Sequence, residues 1–115
     1  MNGTLDLKVI RQKLEQQREV LSRYVQDEER GLRSSVGTNP DPLDLAQDYR
    51  SKERRSAMLT QSKRQLEQIE AALQRLDEDS YGKCAQCGTA ITPSRLRVLP
   101  YAALCVKCQE RQEAL

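Results

Sequence analysis

The sequence contains no tryptophan, no phenylalanine and no histidine, and its aromatic content is only 3%. With 31% charged and 37% hydrophobic residues in 115 positions, the chain has little material for a large apolar core around a buried substrate cavity. An independent enzyme is therefore not expected. The formal net charge of +2 at pH 7 also argues against a protein that binds nucleic acid through a strong overall positive field.

Long apolar runs are also missing. No stretch approaches the roughly 18 apolar residues that indicate a membrane-spanning helix, so no membrane association is expected. The N-terminal residues lack a basic leader followed by an apolar stretch, which argues against a secretory signal. From these two absences we expect a cytoplasmic protein.

The first part of the chain carries apolar residues at heptad spacing, with one polar residue among them. This spacing predicts a long amphipathic helix. Gly31 and the segment 34–40, which contains glycine and proline, predict where that helix ends. The positions of the pattern are Leu7, Ile10, Leu14, Gln17, Leu21 and Tyr24.

A second helix is predicted to begin after residue 40. Asp41 is a favourable N-cap residue, and Pro42 suits the first helical position, where its missing N–H costs nothing. Asp44 then lies in the first turn, where a carboxylate interacts favourably with the helix dipole. The apolar positions of this helix are Leu45, Leu59, Leu66, Ile69, Leu73 and Leu76.

Two helices of about 28 and 36 residues with a short connection favour an antiparallel hairpin. An intermolecular coiled coil is the alternative, but both apolar patterns are short, which favours the intramolecular hairpin and a monomer. The sequence therefore predicts a mainly α protein in which residues 1–79 form a long antiparallel coiled-coil hairpin. Its tip is expected near residues 33–46.

All the cysteines lie in the last third of the chain, as two C-x₂-C pairs with 17 residues between them. Four thiolates at about 2.3 Å complete a tetrahedral zinc site and leave no open position for catalysis. Disulfides or a redox pair are the alternatives, but the missing secretory signal and the presence of two pairs argue against them. The predicted ligands of one structural Zn²⁺ are Cys84, Cys87, Cys105 and Cys108.

Residues 80–115 are accordingly predicted to form a small four-cysteine zinc-finger module. Within it, residues 89–103 are expected to form short strands and a turn, with Pro93 and Pro100 as breaks. A short C-terminal helix over about residues 105–114 is expected to carry the second cysteine pair.

Three segments of the sequence match the pattern of a known family. They are NPDPLDLA at residues 39–46, LDEDSYGKC at residues 76–84, and the stretch from Ile91 to Cys105 that begins ITPSRL and ends LPYAALC. Together with the cysteine pairs, these segments make the chain similar to the DksA/TraR family of zinc-containing regulators of bacterial RNA polymerase. The resemblance covers nearly the whole chain.

The resemblance implies a function for the tip of the hairpin. Family members insert their coiled coil into the secondary channel of RNA polymerase, where the tip lies near the catalytic centre and changes the stability of initiation complexes. They bind the polymerase rather than a promoter sequence, so sequence-specific DNA binding is not expected. The family's tip motif, D-x-x-D-x-A, corresponds here to Asp41, Asp44 and Ala46.

The resemblance also bears on guanosine tetraphosphate, the alarmone that acts with family members. Its contacts at the interface with the polymerase use basic side chains in the family. The corresponding positions here are Gln68, Leu99 and Gln109, and none of them is basic. Co-regulation by the alarmone is therefore not expected.

A cluster of cations on the second helix, which we call the basic band, has two interpretations. It is either a solvated helix face or a surface that docks against acidic polymerase. Two other functions remain as alternatives: a zinc ribbon that binds DNA directly, and a transcript-cleavage factor of the Gre type. The basic band consists of Arg50, Lys52, Arg54, Arg55, Lys63 and Arg64.

Overall fold

The structure is a computed structural model that describes the backbone of residues 5–33 and 42–114, and the side chains of residues 5–31 and 49–114. The helices in these ranges are α1 (Leu7–Arg33), α2 (Pro42–Asp77), α3 (Pro93–Val98) and α4 (Val106–Glu113). No helix within the described residues combines the length and the apolar content that crossing a bilayer requires.

The two long helices agree closely with their prediction. Helix α1 has 27 residues and α2 has 36, against predicted lengths of about 28 and 36. Helix α2 begins at Pro42, the residue expected at the first helical position. Its predicted N-cap, Asp41, lies outside the described residues.

Gly31 lies inside α1, which continues to Arg33, and the segment 34–40 that was also predicted to end the helix lies outside the described residues. The glycine has a different role. A Cβ atom at this position would lie 3.0 Å from the Nη2 atom of Arg55. Arg55 in turn forms an ion pair with Glu28, in which Nε lies 3.1 Å from Oε2. Gly31 thus leaves room for a guanidinium group that joins the two helices.

The chain divides into two compact units, each of which contains parts of both long helices. The first comprises Met1–Arg18 and Glu67–Leu115, and the second comprises Glu19–Leu66. The boundaries of these units differ from the boundary between residues 79 and 80 that the sequence predicts. That the zinc-finger module begins at residue 80 stays a prediction.

Within the first unit, α1 and α2 are antiparallel, since Arg11 near the start of α1 pairs with Asp77 at the end of α2 across 2.8 Å. Within the second unit, Glu29 pairs with Lys63 across 2.8 Å. The prediction that the two long helices form an antiparallel coiled-coil hairpin is therefore confirmed. Among the described side chains, the buried hydrophobic residues of α1 and α2 are Ile10, Leu14, Val25, Leu59, Ile69, Ala72, Leu73 and Leu76.

The heptad prediction is right in the first part of α1, apart from its first residue, and shifts further along the helix. Ile10 and Leu14 are buried, whereas Leu7 is 51% exposed. Further along, Val25 is buried and the predicted Tyr24 is only half-buried. A helix with 3.6 residues per turn drifts by about 20° per heptad from a strict seven-residue repeat, which turns the packed face away from the predicted residue and towards the one after it.

Helix α2 ends in a Schellman motif, which turns the chain towards the cysteines. The N–H of Ser80 donates to the carbonyl of Arg75 at 2.9 Å, and the N–H of Asp79 approaches the carbonyl of Leu76 at 3.4 Å. Asp79 adopts a φ of 60°, in the left-handed region that this motif requires at the residue following the cap.

The expected strands in residues 89–103 are a further error of the sequence-based prediction. The described residues contain only an isolated antiparallel bridge between Lys83 and Ala90, and a short helix, α3, occupies residues 93–98. Thr92 adopts extended dihedral angles at the N-cap position, and Pro93 follows it at the start of the helix. The fixed φ of proline suits the first turn of a helix. Pro93 therefore begins a helix here instead of interrupting a strand.

Candidate metal centre

The first cysteine pair is shaped by a tight backbone turn. The N–H of Gly88 donates to the carbonyl of Cys84 at 3.0 Å, and the N–H of Cys84 donates to the carbonyl of Thr89 at 2.8 Å. Gly88 has a φ of 77°, which residues with a Cβ rarely adopt. A glycine after the second cysteine therefore lets the chain fold back over the pair.

The second pair lies at the beginning of α4. Cys105 occupies the N-cap position with extended dihedral angles, and Cys108 follows in the first turn, where it is buried. The N–H of Ala85 donates to the carbonyl of Ala103 at 2.8 Å. This bond fixes the loop of the first pair against the segment that leads into the second.

The four sulfur atoms form one cluster. The Sγ atoms of Cys84, Cys87, Cys105 and Cys108 all lie within 4.8 Å of one another, and the Sγ atoms of Cys87 and Cys105 are 3.7 Å apart. A tetrahedron of thiolates at about 2.3 Å from zinc has edges of about 3.8 Å. The arrangement therefore fits a four-thiolate zinc site, and the cysteines are not joined as disulfides.

The surroundings favour ionisation of the first pair. Hydrogen bonds from backbone N–H groups, first of all that of Cys87 and then that of Cys105, lower the pKa of Cys84 to about 5. The hydroxyl and the backbone of Thr89 lower the pKa of Cys87. The Sγ atom of Cys87 lies 2.9 Å from the Oγ1 atom of Thr89.

Cys108, in the second pair, shows the opposite effect. The neighbouring thiols, first that of Cys105 and then that of Cys84, raise the pKa of Cys108 to about 12. Four sulfur atoms at this distance cannot all carry a negative charge without a cation between them. The site therefore has the chemistry of a metal centre, because a divalent ion supplies the charge that keeps every thiolate deprotonated.

A small apolar core lies beneath the cluster. Residues from both ends of the chain contribute to it, including Leu5, which precedes α1 and packs against the core although no sequence pattern singled it out. Tyr81 and Leu99 pack against the same core. Its buried members are Cys84, Ile91, Leu96, Ala102 and Cys108.

Tyr81 adds a hydrogen bond to this packing. Its hydroxyl donates to the carbonyl of Pro100 at 2.7 Å and so ties the start of the module to the turn after α3. Burial raises the pKa of Tyr81 to about 12, against a smaller opposite effect of the Arg75 charge. The folded protein thus holds the phenol in its neutral, donating form.

We predict that Tyr81→Phe lowers the free energy of unfolding by about 1 kcal/mol, the net value of one hydrogen bond. Because the pKa of Tyr81 is raised on folding, the neutral phenol stabilises the folded protein. This stability is fully present below pH 10, near the pKa of Tyr81 in the unfolded chain, and is lost as the pH rises through about 12. Between pH 10 and 12 the variant should therefore lose less stability than the wild type. Urea unfolding at pH 8, 10 and 11 measures both effects.

Tyr101→Phe is the matched control, since Tyr101 is also half-buried and its hydroxyl has no hydrogen bond to a described residue. Its stability should stay within about 0.5 kcal/mol of the wild type at each pH. Equal stability of the Tyr81→Phe variant and the wild type at pH 8 would contradict the role of the hydroxyl.

A cleft of about 830 Å³ lies beside the module. Gln68, Leu99 and Gln109, the residues at the expected alarmone positions, all line it. Arg75 and Arg95 line it as well, so the cleft is not without positive charge. The Nε atom of Arg95 already donates to the carbonyl of Leu104 at 3.2 Å.

The residues of the predicted tip are less fully described. Asp44 and Ala46 lie in the first turns of α2, but their side chains are outside the described set, as is the whole of Asp41. The structure therefore brings the four cysteines together and leaves the function of the tip as a prediction.

Comparisons with known proteins agree with this geometry. A family model described as a prokaryotic dksA/traR C4-type zinc finger matches residues 79–114. The solved structure of the transcription factor DksA2 from Pseudomonas aeruginosa superimposes with a TM-score of 0.76 at 32% identity, over 93% of this chain and 82% of that one. With a C4-type zinc finger and four clustered sulfur atoms, the prediction of one structural zinc is confirmed.

Relatives in sequence extend the comparison. An uncharacterized protein of Aquifex aeolicus is 30% identical over 98% of this chain and 79% of its own length. The RNA polymerase-binding transcription factor DksA of Haemophilus influenzae is 32% identical over 71% of this chain and 57% of its own length. The chain thus spans little more than half of that curated DksA protein.

Proposed function

This chain belongs to the DksA/TraR family, and from that membership we propose that it binds bacterial RNA polymerase and regulates the initiation of transcription. The observation that carries the proposal is the combination of an antiparallel hairpin with a four-cysteine module, in a chain that superimposes on DksA2 along most of its length. The hairpin enters the secondary channel of the polymerase, which places its action in the cytoplasm.

In this proposal the tip and the module have separate tasks. Asp41, Asp44 and Ala46 act near the catalytic centre of the polymerase and change the stability of initiation complexes. The zinc-finger module is a structural support that fixes the chain where α2 ends. The protein acts as a monomer and has no catalytic role of its own, and its four thiolates use every position of a tetrahedral zinc.

The other two functions are less well supported. A zinc ribbon that binds DNA directly needs a dense basic surface on the module, and residues 81–115 contain five basic and two acidic residues. A Gre-type factor would use the carboxylates of the tip to hold a catalytic metal in the polymerase. The family match of residues 79–114 favours the DksA-type function over both.

Multi-round transcription with purified bacterial RNA polymerase tests the proposal. Addition of the protein should change product yield on a promoter with an unstable initiation complex and leave a stable promoter nearly unaffected. A gel shift with DNA in the absence of polymerase would instead support the zinc ribbon. Cleavage of the nascent transcript in halted complexes would support the Gre-type factor.

We predict that this regulation is largely independent of guanosine tetraphosphate at the interface with the polymerase. Gln68, Leu99 and Gln109 give the cleft no cation at the expected positions, and a highly charged anion depends on charge-assisted hydrogen bonds. The measurement is transcription with and without the alarmone, on a polymerase that lacks its other alarmone site. Strong synergy there would contradict the prediction and would point to Arg75 and Arg95.

A further inference from the structure

The basic band of α2 falls into two groups. Two of its members are used inside the hairpin, since Arg55 pairs with Glu28 at 3.1 Å and Lys63 pairs with Glu29 at 2.8 Å. The other four members are exposed and form no ion pair with any described side chain. They are Arg50, Lys52, Arg54 and Arg64.

Three of the four lie on one outward face. Residues that are three or four positions apart lie on the same side of a helix. In α2 the positions 50, 54, 57, 61 and 64 form such a row, which is about 21 Å long. Buried Leu59 is nine residues after Arg50 and so lies about 180° away, on the packed side. This arginine stripe comprises Arg50, Arg54, Ala57, Gln61 and Arg64, and every member is exposed.

The stripe is unfavourable for the isolated helix. Arg50 and Arg54 are four residues apart, and like charges at this spacing destabilise a helix. Between Arg54 and Arg64 the stripe holds Ala57 and Gln61, and its carboxylate neighbour Glu53 lies at its edge, three residues after Arg50. The favourable pairing that residues 28 and 29 give to Arg55 and Lys63 is therefore missing on this face.

The chemistry of the stripe fits a carboxylate-bearing partner. Guanidinium groups bind carboxylates through two parallel hydrogen bonds, and small Ala57 between them lets a partner helix approach closely. Nucleic acid is a poorer match, because no aromatic residue lies in the stripe to stack on bases.

We propose that the arginine stripe docks against an acidic protein surface of RNA polymerase and orients the hairpin there. This inference rests on the proposed function and identifies the part of the chain that recognises the partner. Arg55 and Lys63 hold the two helices together, whereas Arg50, Arg54 and Arg64 remain available to pair with carboxylates in the complex.

Binding of the full chain to purified bacterial RNA polymerase tests this assignment. The stripe variant combines Arg50→Gln, Arg54→Gln and Arg64→Gln. The control variant combines Lys13→Gln, Arg18→Gln and Lys52→Gln, which removes the same charge from exposed positions outside the stripe. The stripe variant should bind about tenfold or more weakly, with a shallower salt dependence, while the control stays within about threefold of the wild type.

A second set, Arg50→Lys with Arg54→Lys and Arg64→Lys, keeps the charge and loses the bidentate geometry, so intermediate affinity is expected. Thermal melts should show unchanged or slightly raised stability of the stripe variant, because its substitutions relieve repulsion. If that variant melts early, the comparison is made with the lysine set, whose affinity must still fall below that of the control.

The outcomes separate the two proposals. Equal affinity of the stripe and control variants overturns the stripe and leaves polymerase binding intact. A wild-type chain that does not bind polymerase overturns both. A wild-type chain that binds a short DNA duplex without polymerase, and loses this binding in the stripe variant, assigns the arginines to phosphates and also overturns the inference.

Discussion

Replacing Cys84 by serine is expected to abolish zinc binding and to unfold the zinc-finger module. Cys84 is buried in the small core beneath the sulfur cluster, so the variant loses both a thiolate and a core contact. Zinc binding in small four-ligand modules is coupled to folding by about 10 kcal/mol or more. This exceeds what a core of this size contributes alone, and the module should not remain folded without the metal.

Metal analysis and amide hydrogen exchange measure this result. The wild type should contain one zinc per chain, and the Cys84→Ser variant close to none, with loss of protection over about residues 81–110. Ser94→Ala, an exposed change on α3, is the control and should retain both. Well under one zinc per chain in the wild type, together with disulfides, would contradict the assignment of a structural metal centre.

Asp44→Asn is expected to remove most of the effect on initiation while leaving the protein folded and bound to polymerase. The substitution keeps the size of the side chain and removes its charge from the first turn of α2. The lost interaction with the helix dipole is worth about 0.3–1 kcal/mol, which shifts the melting temperature by only a few degrees. Asp41→Asn should give a weaker form of the same result.

The measurement combines a thermal melt, competition for polymerase and run-off transcription. Glu70→Gln removes one negative charge from an exposed position of the same helix and should behave as the wild type. If Asp44→Asn regulates as well as the wild type, the aspartate only stabilises the start of the helix. If the variant unfolds, the charge is structural. Either result removes the proposed function of the tip.

Much of the fold follows from local sequence signals. The start of α2 at Pro42 and the lengths of both long helices were predictable, because proline and heptad spacing act within a few residues. The metal centre was predictable for a similar reason, since two cysteine pairs at this spacing determine their own chemistry.

The errors arise where distant residues decide the structure. Glycine is typical of a helix end, but Gly31 lies inside α1, where a Cβ atom would come within 3.0 Å of the Arg55 side chain, 24 positions later. Leu5 belongs to no pattern, and its packing against the core beneath the cysteines depends on residues almost a chain length away. Local signals predict a break at Pro93, although the extended Thr92 before it makes Pro93 the start of α3.

The division into compact units has a consequence for synthesis on the ribosome. The first unit is built from Met1–Arg18 together with Glu67–Leu115, so its early segment is made long before its partner. Leu5 cannot pack against Ile91 and Leu96 until these residues have left the exit tunnel. Native packing around the cysteines therefore comes late, whereas Glu19–Leu66 is synthesised as a complete unit about 50 residues earlier.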